Sequence, residues 1–144
     1  MDSSSFEPHN ARALELQVGK ARVVIGIEQI DRIIELVCTP MPMAHPLVCG
    51  IGFEAQRPIV CVVLTGKNPD PAPRTVTAVL LAGEGPVAWA LCADGVHGVV
   101  PLVARSHAID ARWPRWLSRV RSADGRTLAH FDSAQMVLDI GGAQ

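Results

Sequence analysis

The stretch that most constrains the fold is Thr39 to Leu64, TPMPMAHPLVCGIGFEAQRPIVCVVL. Pro40, Pro42 and Pro46 each fix φ and lack an amide donor, so residues 39–46 cannot be helix interior or central strand. They read as an extended connector pinned by Met41 and Met43. Val48 and Ile51 are then expected to enter a core, with Gly50 allowing a bend or a close backbone approach. Ile59–Leu64 is short, apolar and bounded by breakers, the pattern of a strand buried on both faces. Nothing in the stretch carries chemistry. It reads as scaffolding that presents a surface.

The 144 residues suit one domain with a sizeable core, or two very small units. A hydrophobic fraction of 49% with few aromatics fits a Val/Ile/Leu/Ala-rich fold. The net charge of −1 supplies no bulk attraction to nucleic acid or anionic lipid. No apolar run approaches the roughly 20 residues of a membrane helix. The first residues, MDSSSFEPHNAR, lack the order of a secretory signal, so a cytoplasmic location is expected. Cys38, Cys49, Cys61 and Cys92 contain no CxxC pair and sit among apolar neighbours. They read as small buried hydrophobes, neither zinc ligands nor a disulfide framework.

Along the chain, residues 1–11 are polar and aperiodic, a tail, as are 141–144. Ala13–Val18 and Val23–Ile27 flank Gly19-Lys20 as a β-hairpin. Gln29–Val37 reads mainly as strand, with a helical turn near Glu28–Asp31. Gly66–Arg74 is a proline-rich loop. Thr75–Leu81 and Val87–Ala93 form a second hairpin around Gly83-Glu84-Gly85-Pro86, and Asp94-Gly95 makes a turn. Val99–Val103 is a strand interrupted by Pro101, and residues 104–114 are irregular. Trp116–Val120 and Thr127–Phe131 form a third hairpin. Ser133–Leu138 starts a short helix with Asp132 or Ser133 as its N-cap. Short strands and breakers at this density point to small closed all-β sheets, barrel or sandwich.

Four sets of residues are candidates for chemistry or binding. Ser106, His107 and Asp110 are triad residue types, but no G-x-S-x-G elbow exists and loop polarity accounts for them. His97 beside Gly98 reads as a turn residue, because no ligand spacing links it to Cys92 or His45. Gly83-x-Gly85 lacks the third glycine and the helix of a dinucleotide site. Arg105, Arg112, Arg115, Arg119, Arg121 and Arg126, interleaved with Trp113 and Trp116, are the sharpest charge feature. Basic residues mixed with aromatics can hold single-stranded nucleic acid, so a small β-barrel nucleic-acid binder using segment 105–126 is the alternative function. A solvated edge, with tryptophans over a core and arginines lying on them, is preferred.

The ordered motifs resemble the CheW-like domain of bacterial chemosensory systems over about Arg12 to Leu138. VVIGIEQI (23–30) resembles the family's opening strand and turn. TPMPMAHPLVCGI (39–51) is similar to its proline entry, and PIVCVVL (58–64) to the strand that follows. VAWALCADGVHGVV (87–100) places Asp94 and Val96 in the family's aspartate-valine hairpin. RTLAHFDSAQMV (126–137) is similar to the closing strand and helix, with Asp132 at the usual aspartate. The resemblance implies two intertwined five-stranded β-barrels of SH3 type within 12–140, the first roughly 22–82 and the second the remainder. It implies a non-enzymatic adaptor without cofactor or metal. One barrel face would dock on the regulatory domain of a CheA-type histidine kinase, and the groove between barrels would take the cytoplasmic tip of a chemoreceptor.

By motif position the partner-binding residues are Ile30, Arg32, Ile33, Phe53, Ala55 and Gln56. Several depart from the pattern. Where the family writes Gly-x-x-Asn-Leu-Arg-Gly, this chain has Gly50 to Gln56, with Ala55 at the arginine place and Gln56 at the glycine. Val63 stands for an aspartate and Arg32 for an acid. Losing a guanidinium removes a planar multi-donor contact, and reversing a charge can reject a partner. A shifted partner, or the loss of one of two, is the expectation.

Overall fold

A computed structural model describes residues 12–41, 45–64, 72–105 and 114–141. Among the described residues, ten strands and one short α-helix make an all-β protein, with the strands divided between two five-stranded sheets. The chain also divides into two compact units. Unit 1 takes residues 1–16, 22–27 and 96–144; unit 2 takes 17–21 and 28–95. The middle of the chain is thus inserted between the two ends that complete unit 1.

In unit 1, β1 (Arg12–Val18), β2 (Ala21–Gly26), β8 (Gly95–Arg105), β9 (Leu117–Ser122) and β10 (Thr127–Phe131) close a barrel in the order β1-β2-β10-β9-β8. β10 runs parallel to β2, with Ala129 opposite Val23, and antiparallel to β9, with Ala129 opposite Arg119. Ala13, Val24, Leu102, Val120 and Leu128 form a core cluster in this unit. Phe131 is fully buried and meets the Trp116 ring edge-on, centroids 5.7 Å apart at 76°. Helix α1 (Ser133–Gly141) starts where Asp132 Oδ1 accepts the Gln135 amide at 3.1 Å, which settles the N-cap on Asp132. Its Met136 is fully buried.

Two sequence expectations change here. β8 starts at Gly95 and runs through Pro101, so Pro101 does not interrupt it. Pro101 precedes the ladder with β9, which begins at Leu102–Ser122, and its carbonyl accepts the Ala123 amide at 3.0 Å. The missing donor is therefore not needed there. His97, expected in a turn, is an exposed residue of the same strand. The proline-rich loop around residues 65–71 and the tails lie outside the described residues.

Alternation in β1 hides a charged residue. Glu15 is only 3% exposed, yet it accepts Arg22 Nη1 at 2.5 Å and both terminal nitrogens of Arg126 at 2.9 Å. Arg126 in turn holds Asp124 at 3.0 Å. A buried carboxylate so paired is favoured in its charged form. The Arg126 hydrogen bond is the main cause that lowers its pKa to about 2, against the upward push of burial.

In unit 2, a single 3-10 turn (Ile27–Gln29) precedes β3 (Ile30–Cys38), which continues as one strand across a bulge near Asp31. β4 (Val48–Glu54), β5 (Arg57–Val62), β6 (Arg74–Leu81) and β7 (Ala88–Ala93) complete the order β3-β6-β7-β5-β4. Alternate residues of four strands fill the interior: Leu36 and Cys38, Ile59 and Cys61, Val76, Ala78 and Leu80, Ala88, Ala90 and Cys92. The ends of this sheet meet at Thr39 and Ile51, whose amides and carbonyls exchange two hydrogen bonds of 2.9 Å. Asp94 pins the tip of the β1–β2 turn: its carboxylate accepts the Gly19 amide at 2.6 Å and its amide reaches Gln17 O at 2.7 Å.

Ile51 does not enter the core as expected. Gly50 and Gly52 take the inward places on β4, opposite Cys61 and Ile59 of the interior cluster, which leaves Ile51 half-buried on the outer face. The glycines are required because β3 lies against them. A Cβ on Gly50 would meet the Thr39 carbonyl and the Cys38 sulfur, the latter at 2.6 Å. A Cβ on Gly52 would meet the Leu36 side chain at 2.6 Å and Val37 O at 2.9 Å.

Gly52→Ala is expected to lower the urea midpoint, at a cost of about 1–3 kcal/mol from overpacking. Glu15→Gln is expected to cost roughly 1–3 kcal/mol at pH 7, allowing for its half-exposed arginine partners. Because the folded-state pKa is depressed, Glu15 stabilises fully above about pH 4.5 and loses that contribution as pH falls toward about 2. Urea titrations of wild type and Glu15→Gln should therefore converge across that window.

Candidate functional surface

The six residues singled out by motif position all fall in unit 2, on β3, on β4 and in the turn that follows β4. Ile30 is half-buried at the start of β3, opposite Leu81 of β6. Arg32 and Ile33 are exposed beyond the bulge. Phe53 is the most exposed of the six among the large apolar residues, at 66%, and Ile33 is exposed at 41%. Period-2 geometry explains the set: Leu36 and Cys38 point inward on β3, so Ile33 and Val37 point out. On β4 the inward glycines turn Ile51 and Phe53 outward.

Arg32 does not stand as a free reversed charge. It pairs with Glu54 across the β3–β4 seam and with Asp31 at 3.1 Å. Glu54 occupies a place where the family resemblance has leucine. The two departures therefore pair with each other within this chain. What remains is a mostly apolar outer strip, with Ile33 and Val37 on β3 flanking the exposed Glu35, and Ile51 and Phe53 on β4, the two strands also being joined by the Arg32–Glu54 ion pair. Val37, missed by motif position, is 57% exposed and belongs to the strip; its place between Leu36 and Cys38 in the alternation was the available signal.

Ala55 and Gln56 form the two-residue turn between β4 and β5, where Glu54 faces Arg57. Their φ angles are +49° and +69°. Positive φ at both central residues is the I′ hairpin pattern, which strongly prefers Asn-Gly or Gly-Gly. Both turn places are therefore left-handed, and here two residues with side chains occupy them. Both side chains are exposed.

The arginine-rich segment does not assemble a stacking platform among the described residues. Trp116 is buried against Phe131. Arg115 pairs with Asp139 at 2.7 Å, and Arg126 is held by Glu15 and Asp124. Arg121 is exposed on β9. Arg112 and Trp113 lie outside the described residues, as do the side chain of Arg105 and the Ser106, His107 and Asp110 set. His45 Nδ1 accepts the Leu47 amide at 3.1 Å within its own turn. Among the described residues, no three His, Cys, Asp or Glu side chains are arranged to hold a metal ion, and no helix is long and apolar enough to cross a membrane.

No family model and no curated protein matches the sequence. Among solved structures, the chain is similar to the scaffolding protein TtCheW from Thermoanaerobacter tengcongensis, with a TM-score of 0.63 at 14% identity. The match covers 84% of this chain and 88% of that one. At that identity the likeness is one of fold, and the fold is CheW-like.

Gln56→Gly is expected to stabilise the protein by about 0.5–1 kcal/mol by relieving the left-handed side-chain cost at the turn. Thermal unfolding of the two proteins at one concentration would show the rise in midpoint.

Proposed function

We propose that the protein is a non-enzymatic adaptor of a bacterial chemosensory pathway. It acts in the cytoplasm and couples the tip of a chemoreceptor to the regulatory domain of a CheA-type histidine kinase. Support comes from the CheW-like fold together with the outer β3–β4 strip of unit 2. The observation that carries the reading is Phe53, two-thirds exposed on a strand whose neighbours are locked by glycine packing. A rigid aromatic held in water is the residue type that anchors protein interfaces. Ile33 and Val37 extend the apolar area, and the Arg32–Glu54 pair borders it. Ile30, Ala55 and Gln56 lie at its margin and tune the fit.

The role is binding without chemistry, so its energetics lie in buried area and shape. Ala55 and Gln56 stand where the family has arginine and glycine. That loss weakens one of the two usual contacts, and the kinase regulatory domain or the receptor tip is then held through the apolar strip alone.

Calorimetric titration of the purified chain with a kinase regulatory domain and with a receptor tip fragment encoded in the same genome tests this. Binding to at least one is expected. Phe53→Ala should weaken it at least tenfold, about 1.4 kcal/mol, while Arg121→Ala on β9 leaves it unchanged. No binding to either partner, or equal loss from Arg121→Ala, contradicts the proposal.

A further inference from the structure

All four cysteines of the chain converge inside unit 2, although each comes from a different strand. Cys38, Cys61 and Cys92 are buried and Cys49 is half-buried, all as free thiols. The Cys38 and Cys49 sulfurs are 3.6 Å apart, and those of Cys49 and Cys92 are 3.8 Å apart. We propose that Cys38 and Cys49 form an oxidisable dithiol across the β3–β4 seam, converted by a hydroperoxide into an intrachain disulfide. This modification site is independent of the adaptor reading.

The choice of pair follows from what can move. A disulfide needs its sulfurs at about 2 Å, so the two strands must close slightly. Cys92 lies on β7, which is hydrogen-bonded to β6 on one side and β5 on the other. β4 is laddered on one side only, to β5, and meets β3 through the single Thr39–Ile51 bridge. The ladder is also irregular between Val48 and Gly50, at Cys49 itself. That local slack lets Cys49 approach Cys38. Gly50 leaves the space over which the Cys38 sulfur lies.

Cys49 is also the least buried residue of the four, half-buried where the other three are buried, which makes it the first to meet an oxidant from solvent in this proposal. Hydrogen bonds from Cys38 and Cys92, and the charge of Arg74, hold its pKa below the usual thiol range. The Cys49 thiolate attacks the peroxide O–O bond, taking one oxygen and releasing an alcohol or water after protonation. The resulting sulfenic acid is then attacked by Cys38 sulfur. The S–S bond forms, the S–O bond breaks, and the Cys38 proton leaves with hydroxide as water. Two electrons pass from the sulfur pair to the peroxide, and a dithiol reductant reverses the change.

The test uses the reduced full-length chain, treated with excess hydrogen peroxide, alkylated under denaturing conditions and cleaved after glutamate. Cleavage after Glu35 and Glu54 releases residues 36–54, which contain only Cys38 and Cys49 among the cysteines. This peptide is expected to escape alkylation and to be about 2 Da lighter than its reduced form, the two hydrogens lost on oxidation. Dithiothreitol should restore alkylation at both sites. In Cys38→Ala, the peroxide-treated Cys49 should stop at a sulfenic acid that dimedone traps. Full alkylation of 36–54 in the wild-type protein, or a link from Cys49 to Cys92 in another peptide, overturns the proposal.

Discussion

The closure of the second sheet rests on two hydrogen bonds and two missing side chains. Thr39 and Ile51 join strands at opposite ends of the hydrogen-bonding order. The join is sterically open only because Gly50 and Gly52 present no Cβ to Cys38, Thr39 and Leu36. Backbone packing this close leaves little free space to absorb an added methyl. The inward glycines also fix which residues of β4 face out, since side chains alternate across a strand. One steric condition therefore closes the sheet and places Phe53 and Ile51 on its outer surface.

A surface built this way suits recognition. An aromatic on a mobile loop loses conformational freedom when it binds, whereas one on a strand fixed from behind has lost most of it already. Arg32 meets both Glu54 and Asp31 on the same unit, and with the exposed Glu35 these leave the β3–β4 face net acidic. The same close approach of β3 and β4 brings two sulfurs together directly behind the exposed strip.

Much of the fold was legible in the sequence because its signals are local. Proline spacing marked the break between β3 and β4, of which residues 42–44 lie outside the described residues, and short apolar runs between Gly- and Asp-containing turns gave the hairpins of β1–β2, β6–β7 and β9–β10. The aspartates that carried the family resemblance, Asp94 and Asp132, do structural work by holding a hairpin tip and capping α1. What escaped was set by tertiary placement. Glu15 looks like an exposed residue in an alternating strand, but Arg126, 111 positions away, makes it a buried ion-pair acceptor. The thiol cluster has no spacing signature, since its members arrive on four strands. Ile51 was misread because parity on β4 is decided by glycines, which carry no hydrophobic signal. The Arg32–Glu54 pair needed a strand register that composition does not supply.

We propose the outer β3–β4 face of unit 2 as the surface the protein offers to its partners. Hydrogen exchange of the free chain, and of the chain saturated with a kinase regulatory domain or a receptor tip fragment, tests it most directly. New protection confined to residues 30–38 and 48–56 is the predicted result. Protection confined to β9 and β10, with the β3–β4 amides unchanged, would contradict it.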